Sequence, residues 1–238
     1  MSMRLSKYIA ACGAASRREA DRLIEAGRVT VDGAIAQLGC VVEGKEEIAV
    51  DGRILREMDK KVVAAYYKPV GVTCTEKDPH AERTLKDAFS FPVRLTYAGR
   101  LDRDSEGLLL MTNDGDLIEA MMRGSRGHEK EYIVRVRQRM SDVGLARMRA
   151  GIYLRDLGVR TRPCRVERLG DRTFRIVLTQ GLNRQIRRMC RAVGTDVVRL
   201  KRVRVLNIEL GAMKPGEIRV VTGKEREQLY EAAGIVRR

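Results

Sequence analysis

Short apolar runs that end in glycine-containing turns are the feature that most limits the fold of this 238-residue chain. Residues 29–33 and 48–52 each consist of three strand-type residues followed by Asp-Gly, which is typical of strands joined by tight turns. Residues 131–140 and 172–179 alternate apolar and polar side chains, which predicts strands with one buried face. The pattern favours a mixed α+β fold, rich in antiparallel pairs, over regular βαβ units.

Helices are predicted where apolar residues recur every three or four positions between a capping residue and a glycine. Ser16 is expected to cap a helix that ends at Gly27, and Asn183 to cap one that ends at Gly194. The other predicted helices are residues 5–12, a segment from Asp116 to Gly124, and a last helix opened by Thr222-Gly223-Lys224-Glu225.

The order of these elements predicts two domains. Residues 1–60 combine two short helices with small strands, and residues 61–238 open with a buried strand at 62–67. The charged segment 57–61 is the predicted boundary between them.

Positive charge is concentrated in one part of the chain. Lys and Arg number 47 against 32 Asp and Glu, and residues 123–205 alone hold 23 basic and seven acidic residues. A field of this sign attracts a polyanion, and nucleic acid is the usual one. In the first domain, Arg17, Arg18 and Arg22 are predicted on the exposed side of the second helix, as candidate RNA contacts.

Several classes of protein are disfavoured by what the sequence contains. The five cysteines are widely spaced with no Cys-x-x-Cys pair, which indicates reduced thiols in a cytoplasmic protein and neither a zinc site nor disulfides. No glycine-rich loop for a dinucleotide or ATP is found, so no metal or nucleotide cofactor is expected. No apolar run approaches the ~20 residues of a membrane helix, and no secretion signal is recognised.

The densest polar cluster is residues 99–107, Gly-Arg-Leu-Asp-Arg-Asp-Ser-Glu-Gly. A calcium loop is disfavoured, because its twelfth position would be Asn113 where a bidentate glutamate is needed. Two interpretations stay open from the spacing alone: a solvated acidic turn, which is the commoner structure, and a catalytic carboxylate at Asp102 kept ionised by neighbouring arginines.

Four arginines with spacings of three and four are predicted on one face of the helix that follows Asn183: Arg184, Arg187, Arg188 and Arg191. Like charges repel there, so a counter-anion is expected. Either an internal carboxylate or an RNA phosphate could supply it.

Four short motifs occur in this order along the chain: Lys68-Pro69-Val70-Gly71; Gly99-Arg100-Leu101-Asp102 with Gly107-Leu108-Leu109-Leu110; Glu129-Lys130-Glu131-Tyr132; and residues 181–189, Gly-Leu-Asn-Arg-Gln-Ile-Arg-Arg-Met. Together they resemble the bacterial rRNA pseudouridine synthases of the RsuA-like family. The first 60 residues resemble the small RNA-binding domain named for ribosomal protein S-four, which those enzymes often carry. Residues 99–105 and 128–132 are most similar to the branch that acts on large-subunit (23S) rRNA.

The resemblance implies a small N-terminal RNA-binding domain of the α-L type, followed by a mixed, mostly antiparallel catalytic domain. It also implies roles for individual residues. Asp102 matches the essential aspartate, Arg187 the arginine that pairs with it, and Tyr132 the tyrosine that contacts the target base. Arg100 matches a residue placed against the RNA, and Arg184 and Arg188 are candidate RNA contacts. Taken alone, Tyr132 would be interpreted as a core tyrosine.

The expected function is isomerisation of a specific uridine to pseudouridine in rRNA, by a monomer that needs no cofactor. The expected partner is ribosomal RNA, free or in a pre-ribosomal particle, and no membrane. A non-catalytic RNA-binding ribosome-assembly factor with the same charge distribution is the alternative. An rRNA methyltransferase is disfavoured because the glycine-rich cofactor loop is missing.

Overall fold

The computed structural model describes residues 2–56, 60–75, 81–122 and 127–235, and the chain forms two compact units. The first unit is residues 1–62 with the short segments 91–96 and 113–115. The second unit contains the rest of the chain from residue 63 onward.

The first unit combines two helices with small antiparallel sheets. Its helix α2 begins where predicted, because the Ser16 hydroxyl accepts a hydrogen bond from the Glu19 amide at 3.2 Å. Asp32 and Asp51 have φ of +49°, and each is followed by a glycine that completes the predicted tight turn. Its elements are β1 (Met3–Arg4), α1 (Leu5–Ala11), α2 (Arg17–Glu25), β2 (Val29–Val31), β3 (Ala34–Ile35), β4 (Val41–Val42), β5 (Ile48–Val50) and β6 (Arg53–Ile54). The larger sheet has the order β3-β2-β5-β6, and the helices pack on its core through Leu5, Ile9 and Ile24.

The second unit is built on a nine-stranded sheet whose main path is β13-β14-β10-β15-β9-β7-β17. Six of its strand pairs are antiparallel and the pair of β15 with β9 is parallel, which confirms the predicted mixed α+β class. Its elements are β7 (Val63–Lys68), α3 (Leu85–Ala88), β8 (Thr96–Tyr97), β9 (Glu106–Thr112), α4 (Gly115–Met122), β10 (Lys130–Val136), α5 (Asp142–Ala150), β11 (Tyr153–Leu154), β12 (Val159–Arg160), β13 (Arg165–Gly170), β14 (Thr173–Leu178), α6 (Gln185–Ala192), β15 (Val197–Val205), β16 (Ile208–Glu209), β17 (Ile218–Val220) and α7 (Gly223–Ala232).

Strands β7 and β9 form the centre of this unit, and every residue of both is buried. One core cluster covers the face of Tyr67 and Leu108, together with residues of α4 and α7. A second cluster covers the other part of the sheet through Val134 and Leu200, with the apolar side of α6 packed on it. Because β7 and β9 are covered on both faces, their sequences are nearly continuous apolar runs and do not alternate between apolar and polar residues.

Two predicted helix starts, those of α6 and α4, differ from the structure by one or two positions, and α7 starts where predicted but without its capping bond. Helix α6 takes Arg184 as its N-cap residue, not Asn183, because the Gln185 side chain accepts the Leu182 amide at 3.1 Å. Thr222 precedes α7 without a side-chain capping bond, since Glu225 is bound to Arg219. Helix α4 already begins at Gly115, so Asp116 lies in its first turn. No helix in the described ranges has the length and apolar character that crossing a membrane requires.

Candidate active site

Asp102 lies on the loop between β8 and β9, and residues 101–107 are called the Asp102 loop below. The Asp102 backbone carbonyl accepts a hydrogen bond from the Ser105 amide at 3.1 Å, and the Arg103 carbonyl accepts one from the Gly71 amide at 2.8 Å. The Asp102 carboxylate itself is 36% exposed, and its nearest cation is Arg184, with Nη1 3.8 Å from Oδ2. The backbone of this loop is therefore held in place, while the carboxylate remains open to solvent.

The loop is not a calcium site. Strand β9 begins at Glu106 and continues through Thr112, so half of the would-be calcium loop is extended sheet. Among the residues that the structure describes, no group of three His, Cys, Asp or Glu side chains has the arrangement of a metal site.

Arg187 is buried on α6 and points into the Asp102 loop, but its ion pair is with Asp104. The Arg187 Nε lies 3.3 Å from Asp104 Oδ2, and Nη2 donates to the Asp104 carbonyl at 2.8 Å. The resemblance implies an ion pair between Arg187 and Asp102. In the structure Arg187 forms its ion pair with Asp104. Burial lowers the pKa of Arg187 below its ordinary value, and the charges of Asp104 and Asp102 oppose this shift only in part.

Asp104 is the carboxylate that binds the arginines of α6 most closely. Arg184 donates to it twice, at 2.7 and 3.2 Å. Burial alone would raise the pKa of Asp104, but the bonds from Arg184 and the charges of Arg187 and Arg184 outweigh burial, and the pKa falls below its usual value. Asp104 therefore stays ionised and links α6 to the Asp102 loop.

Four residues on neighbouring strands form one row across the sheet beside this loop. Lys68 pairs with Gly107, Gly107 with Arg202, and Arg202 with Tyr132. Paired residues project from the same face of a sheet, so the side chains of Lys68, Arg202 and Tyr132 share one face. The row places Tyr132 on the same face as a cation that contacts the Asp102 loop.

Arg202 holds both ends of the Asp102 loop. This arginine is 2% exposed, and its Nε donates to the Leu108 carbonyl at 2.7 Å while Nη1 donates to the Arg100 carbonyl at 3.2 Å. The close approach requires Gly107, which has φ of +107° and whose added Cβ would lie 2.2 Å from the Arg202 carbonyl oxygen. One buried guanidinium thus fixes the residue before the loop and the residue after it.

Lys68 is a second buried cation in this row. It is fully buried, and its Nζ donates to the carbonyls of Pro69 and Val72, each at 2.8 Å. Burial lowers the pKa of Lys68 to about 8, opposed by the charges of Cys74, Asp104 and Asp102. Lys68 therefore stabilises the turn of its own motif and adds positive potential near the two aspartates.

Tyr132 is half-buried on β10 and packs against the second core cluster. It pairs with Ile176 on one side and with Arg202 on the other. Its ring therefore lies at the edge of the core, and its strand position belongs to the row beside the Asp102 loop, while the contact with the target base stays a prediction.

The arginines of α6 find their counter-anions inside the protein. Arg184 and Arg187 pair with Asp104, Arg188 pairs with Asp156, and Arg191 lies 3.3 Å from Asp196. Of the two sources left open by the sequence, internal carboxylates supply the charge. Arg187 is also buried, although the helical spacing had placed it on the outer face.

The remaining predicted RNA contacts are exposed. Arg17 and Arg18 on α2 have no ion pair among the described residues, and Arg22 has one with Glu19 at 3.5 Å. The Arg100 side chain is exposed, likewise without a hydrogen bond or ion pair in the described part of the chain.

Three residues of this site were not predicted from the sequence: Asp104, Lys68 and Arg202. Lys68 and Asp104 lie in sequence segments that carry the family resemblance, 68–71 and 99–105, so these segments could have identified both residues as part of the site. Arg202 carries no such signal, because its contact with the loop depends on the parallel pairing of β15 with β9, almost 100 residues apart in sequence.

Comparison with protein families gives two matches. The model for RNA pseudouridylate synthases matches residues 62–192, and the model for the S4 domain matches residues 3–48. The first match covers more than half of the chain and contains Asp102, Tyr132 and Arg187.

Similar proteins align over most of the chain. The Dual-specificity RNA pseudouridine synthase RluF of Salmonella typhi is 41% identical over 232 residues, which are 97% of this chain and 79% of that protein. Ribosomal large subunit pseudouridine synthase B of Escherichia coli (strain K12) is 40% identical over 220 residues, covering 88% of this chain and 76% of that protein. A crystal structure of a pseudouridylate synthase superposes with a TM-score of 0.71 at 29% identity, covering 95% of this chain and 99% of the other.

Proposed function

Because this chain belongs to the RNA pseudouridylate synthase family, we propose that it isomerises a specific uridine of 23S ribosomal RNA to pseudouridine, with Asp102 as the catalytic carboxylate. The observation that carries the proposal is an open carboxylate on a loop whose backbone is fixed at both ends. The names of the relatives, a dual-specificity RNA enzyme and a large-subunit rRNA enzyme, support RNA and 23S rRNA as the substrate class.

The reaction breaks the bond between ribose C1′ and uracil N1 and forms a bond between C1′ and C5. Asp102 acts at the sugar, either as a nucleophile at C1′ or as the base of an elimination. The proton that leaves C5 is transferred to N1 of the product, so the reaction is balanced without a redox partner. A carboxylate that accepts no hydrogen bond is a better nucleophile than one held by several donors. Within the described ranges the Asp102 side chain accepts none, and its ion-pair partner Arg184 lies 3.8 Å away.

The uridine must leave its helix to reach Asp102, which costs a few kcal/mol. Contacts between arginines and the RNA backbone can offset this cost. Arg100 is suited to such a contact, because its side chain is exposed two residues before Asp102 and its carbonyl is held by Arg202.

Tyr132 and Arg187 complete the proposed site in different ways. Tyr132 stacks on the flipped uracil and transfers or relays the C5 proton. Arg187 orients the Asp102 loop through the Asp104 carbonyl and carboxylate, and stabilises the ionised aspartates through its charge. Arg187 is therefore a positioning residue.

The S4 domain recognises RNA in this proposal, through Arg17, Arg18 and Arg22 on α2. These side chains are exposed, and two of them have no internal ion pair in the described residues. Arg184 and Arg188, in contrast, would have to exchange an internal aspartate for a phosphate before they could bind RNA. We propose a cytoplasmic monomer that works on rRNA or on a pre-ribosomal particle.

A uridine isomerisation assay tests the proposal directly. The purified protein is incubated with a 23S rRNA transcript, and pseudouridine is then mapped by mass spectrometry of nuclease fragments. One modified position, absent with Asp102→Asn protein, is the expected result. Binding of the transcript without isomerisation would favour the non-catalytic assembly factor.

A further inference from the structure

Hairpin 151–164 connects α5 to β13 and presents a single aromatic ring to solvent. The protein has seven tyrosines, three phenylalanines and no tryptophan, and all ten rings lie in described residues. Nine of them are buried or half-buried, whereas Tyr153 is 52% exposed. A protein with so few aromatic residues keeps this one outside its cores.

The two sides of the hairpin differ in character. Tyr153 pairs with Arg160, and Leu154 pairs with Val159. Leu154 is 2% exposed and belongs to the second core cluster, so its side of the hairpin faces the protein. Tyr153 and Arg160 therefore share the outward side, as an aromatic ring next to a guanidinium.

The hairpin is held rigidly at its base. Gly151 has φ of +87°, and an added Cβ would lie 2.3 Å from the Thr161 carbonyl oxygen, so only glycine allows this crossing. The buried Thr161 exchanges two bonds with Ile152, both 2.9 Å long, one of them through its hydroxyl. Arg160 donates to the Gly151 carbonyl at 2.8 Å, which fixes the guanidinium close to the strand. A surface that is formed before binding loses little entropy when a ligand arrives.

The tip of the hairpin is tied to the same helix as the Asp102 loop. Asp156 pairs with Arg188 on α6, and Arg184, one turn earlier, pairs with Asp104. One helical turn is about 5.4 Å along the axis. The hairpin tip and the Asp102 loop are therefore bound to consecutive turns of α6, and this shared support is the reason to connect the hairpin with RNA bound at Asp102.

The charge of the hairpin selects the partner. Arg155, Arg160 and Arg162 are exposed, and the one acidic residue, Asp156, is neutralised by Arg188. An exposed ring among arginines that have no acidic partner in the described part of the chain fits a ligand that is both planar and anionic. Unpaired RNA nucleotides are such ligands, whereas a duplex hides its base faces.

We propose that hairpin 151–164 is a binding site for an unpaired RNA nucleotide that flanks the target uridine, with the base stacked on Tyr153 and the phosphates bound by the arginines beside it. The proposal rests on the proposed function, because it takes RNA as the substrate. It goes further by assigning a contact outside the family's motifs and by requiring a single-stranded segment next to the modified site.

Steady-state kinetics on a 23S rRNA transcript test the contact. Loss of one base–aromatic stack is expected to raise KM about 10-fold in Tyr153→Ala, with kcat within about twofold of wild type. Tyr153→Phe keeps the ring and should restore KM, and Arg160→Ala should raise KM with kcat unchanged. Leu169→Ala is the matched control, since it removes an apolar side chain that is 44% exposed on β13.

Binding of short RNAs separates this proposal from the proposed function. Fluorescence anisotropy is measured with an unstructured RNA of about 12 nucleotides and with the corresponding duplex. Tyr153→Ala should weaken binding of the single strand about 10-fold and leave the duplex unchanged. An unchanged affinity for the single strand, an equal loss on both RNAs, or a Phe variant as weak as the Ala variant would each overturn the proposal. If wild-type protein forms no pseudouridine, the proposed function fails, and the anisotropy comparison still decides the role of the hairpin.

Discussion

Two arginine-rich helices of this protein use their charges in opposite ways. On α6, all four arginines form ion pairs with aspartates, and one of them is buried. On α2, all three arginines are exposed and only Arg22 has an acidic partner in the described residues. The sequences of the two helices look alike, but α6 is part of the scaffold of the Asp102 loop, whereas α2 keeps its charges available for a ligand.

The difference shows that a basic helix is not by itself an RNA-binding surface. An arginine that already has a carboxylate gains little from a phosphate, because one ion pair is exchanged for another. An arginine without a partner gains the full attraction and releases counterions from the RNA. Changes near Asp102 should therefore affect turnover, while changes on α2 should affect affinity.

The largest expected effect is that of Asp102→Asn. Isomerisation should fall by more than about 1,000-fold, as is usual when the central catalytic group of an enzyme is removed. Because the Asp102 side chain accepts no hydrogen bond from the residues that the structure describes, the substitution should leave the unfolding temperature and the affinity for RNA unchanged. The rate is measured with a 23S rRNA transcript under single-turnover conditions, and the affinity by filter binding. Turnover at the wild-type rate would remove Asp102 from the mechanism.

Arg202→Met should have the next largest effect, through the position of the Asp102 loop. The variant loses the bonds to the Arg100 and Leu108 carbonyls, and a shift of about 1 Å in a catalytic group can lower kcat about 100-fold. Arg202→Lys keeps the charge and one donor, so it should recover part of kcat while KM stays constant in both variants. A rise in KM with constant kcat would mean that Arg202 binds substrate and does not position the loop. Circular dichroism identifies any loss of folding.

The variants Arg187→Ala and Arg191→Ala test whether the arginines of α6 all have the same role. Arg187 is buried and bound to the Asp104 carbonyl, whereas Arg191 is mostly exposed and pairs with Asp196 at the surface. The first variant should lose activity at least about 10-fold more than the second, since a surface ion pair contributes about 0–1 kcal/mol. Equal losses in kcat/KM would instead indicate that α6 is a phosphate-binding face, as we propose for α2.

The double variant Arg17→Ala/Arg18→Ala tests the other side of the comparison. It should weaken RNA binding, with kcat at saturating RNA unchanged. The slope of the logarithm of the binding constant against the logarithm of the salt concentration should decrease by the equivalent of about two phosphate contacts. Arg191→Ala is the matched control, because it removes a charge that the protein already neutralises. Affinities measured between about 50 and 200 mM salt give the slope. An unaltered slope in the double variant would show that α2 does not contact the phosphates.

The sequence predicted the elements of both helices well, but not the partners of their side chains. The spacing of Ser16 and Glu19 and the apolar positions of α6 are local, so capping and periodicity locate them. The partner of Arg187 depends on a long-range contact, and neighbouring carboxylates at 102 and 104 are equivalent by spacing alone. The structure selects Asp104 because the loop backbone is turned at Asp102 and Ser105.

The role of Arg202 lay beyond prediction for a related reason. Arg202 and Arg204 are two residues apart on one strand, so spacing alone places both on the same face and does not distinguish them. Arg199 pairs with Glu106 and Arg204 with Glu129 and Glu131, whereas Arg202 is bound to backbone carbonyls. The register of β15 against β9 decides which arginine faces the Asp102 loop. That register depends on Gly107, because a Cβ at this position would clash with the Arg202 backbone.

The smallest expected effect concerns Lys68, a buried cation whose hydrogen bonds within the described residues go to the Pro69 and Val72 carbonyls. Its pKa is about 8 in the folded protein against 10.5 for the exposed group, so between these values the unfolded chain binds more protons than the folded chain. Stability from this group therefore rises with pH across that window, being lowest below pH 8. Urea unfolding at pH 8 and at pH 9.5 should show that wild type gains on the order of 1–2 kcal/mol relative to Lys68→Met over this range. If both proteins change in parallel, Lys68 keeps its proton and the aspartates stabilise its charge, as Asp104 does for the arginines of α6. A relative gain means that the burial of Lys68 costs stability.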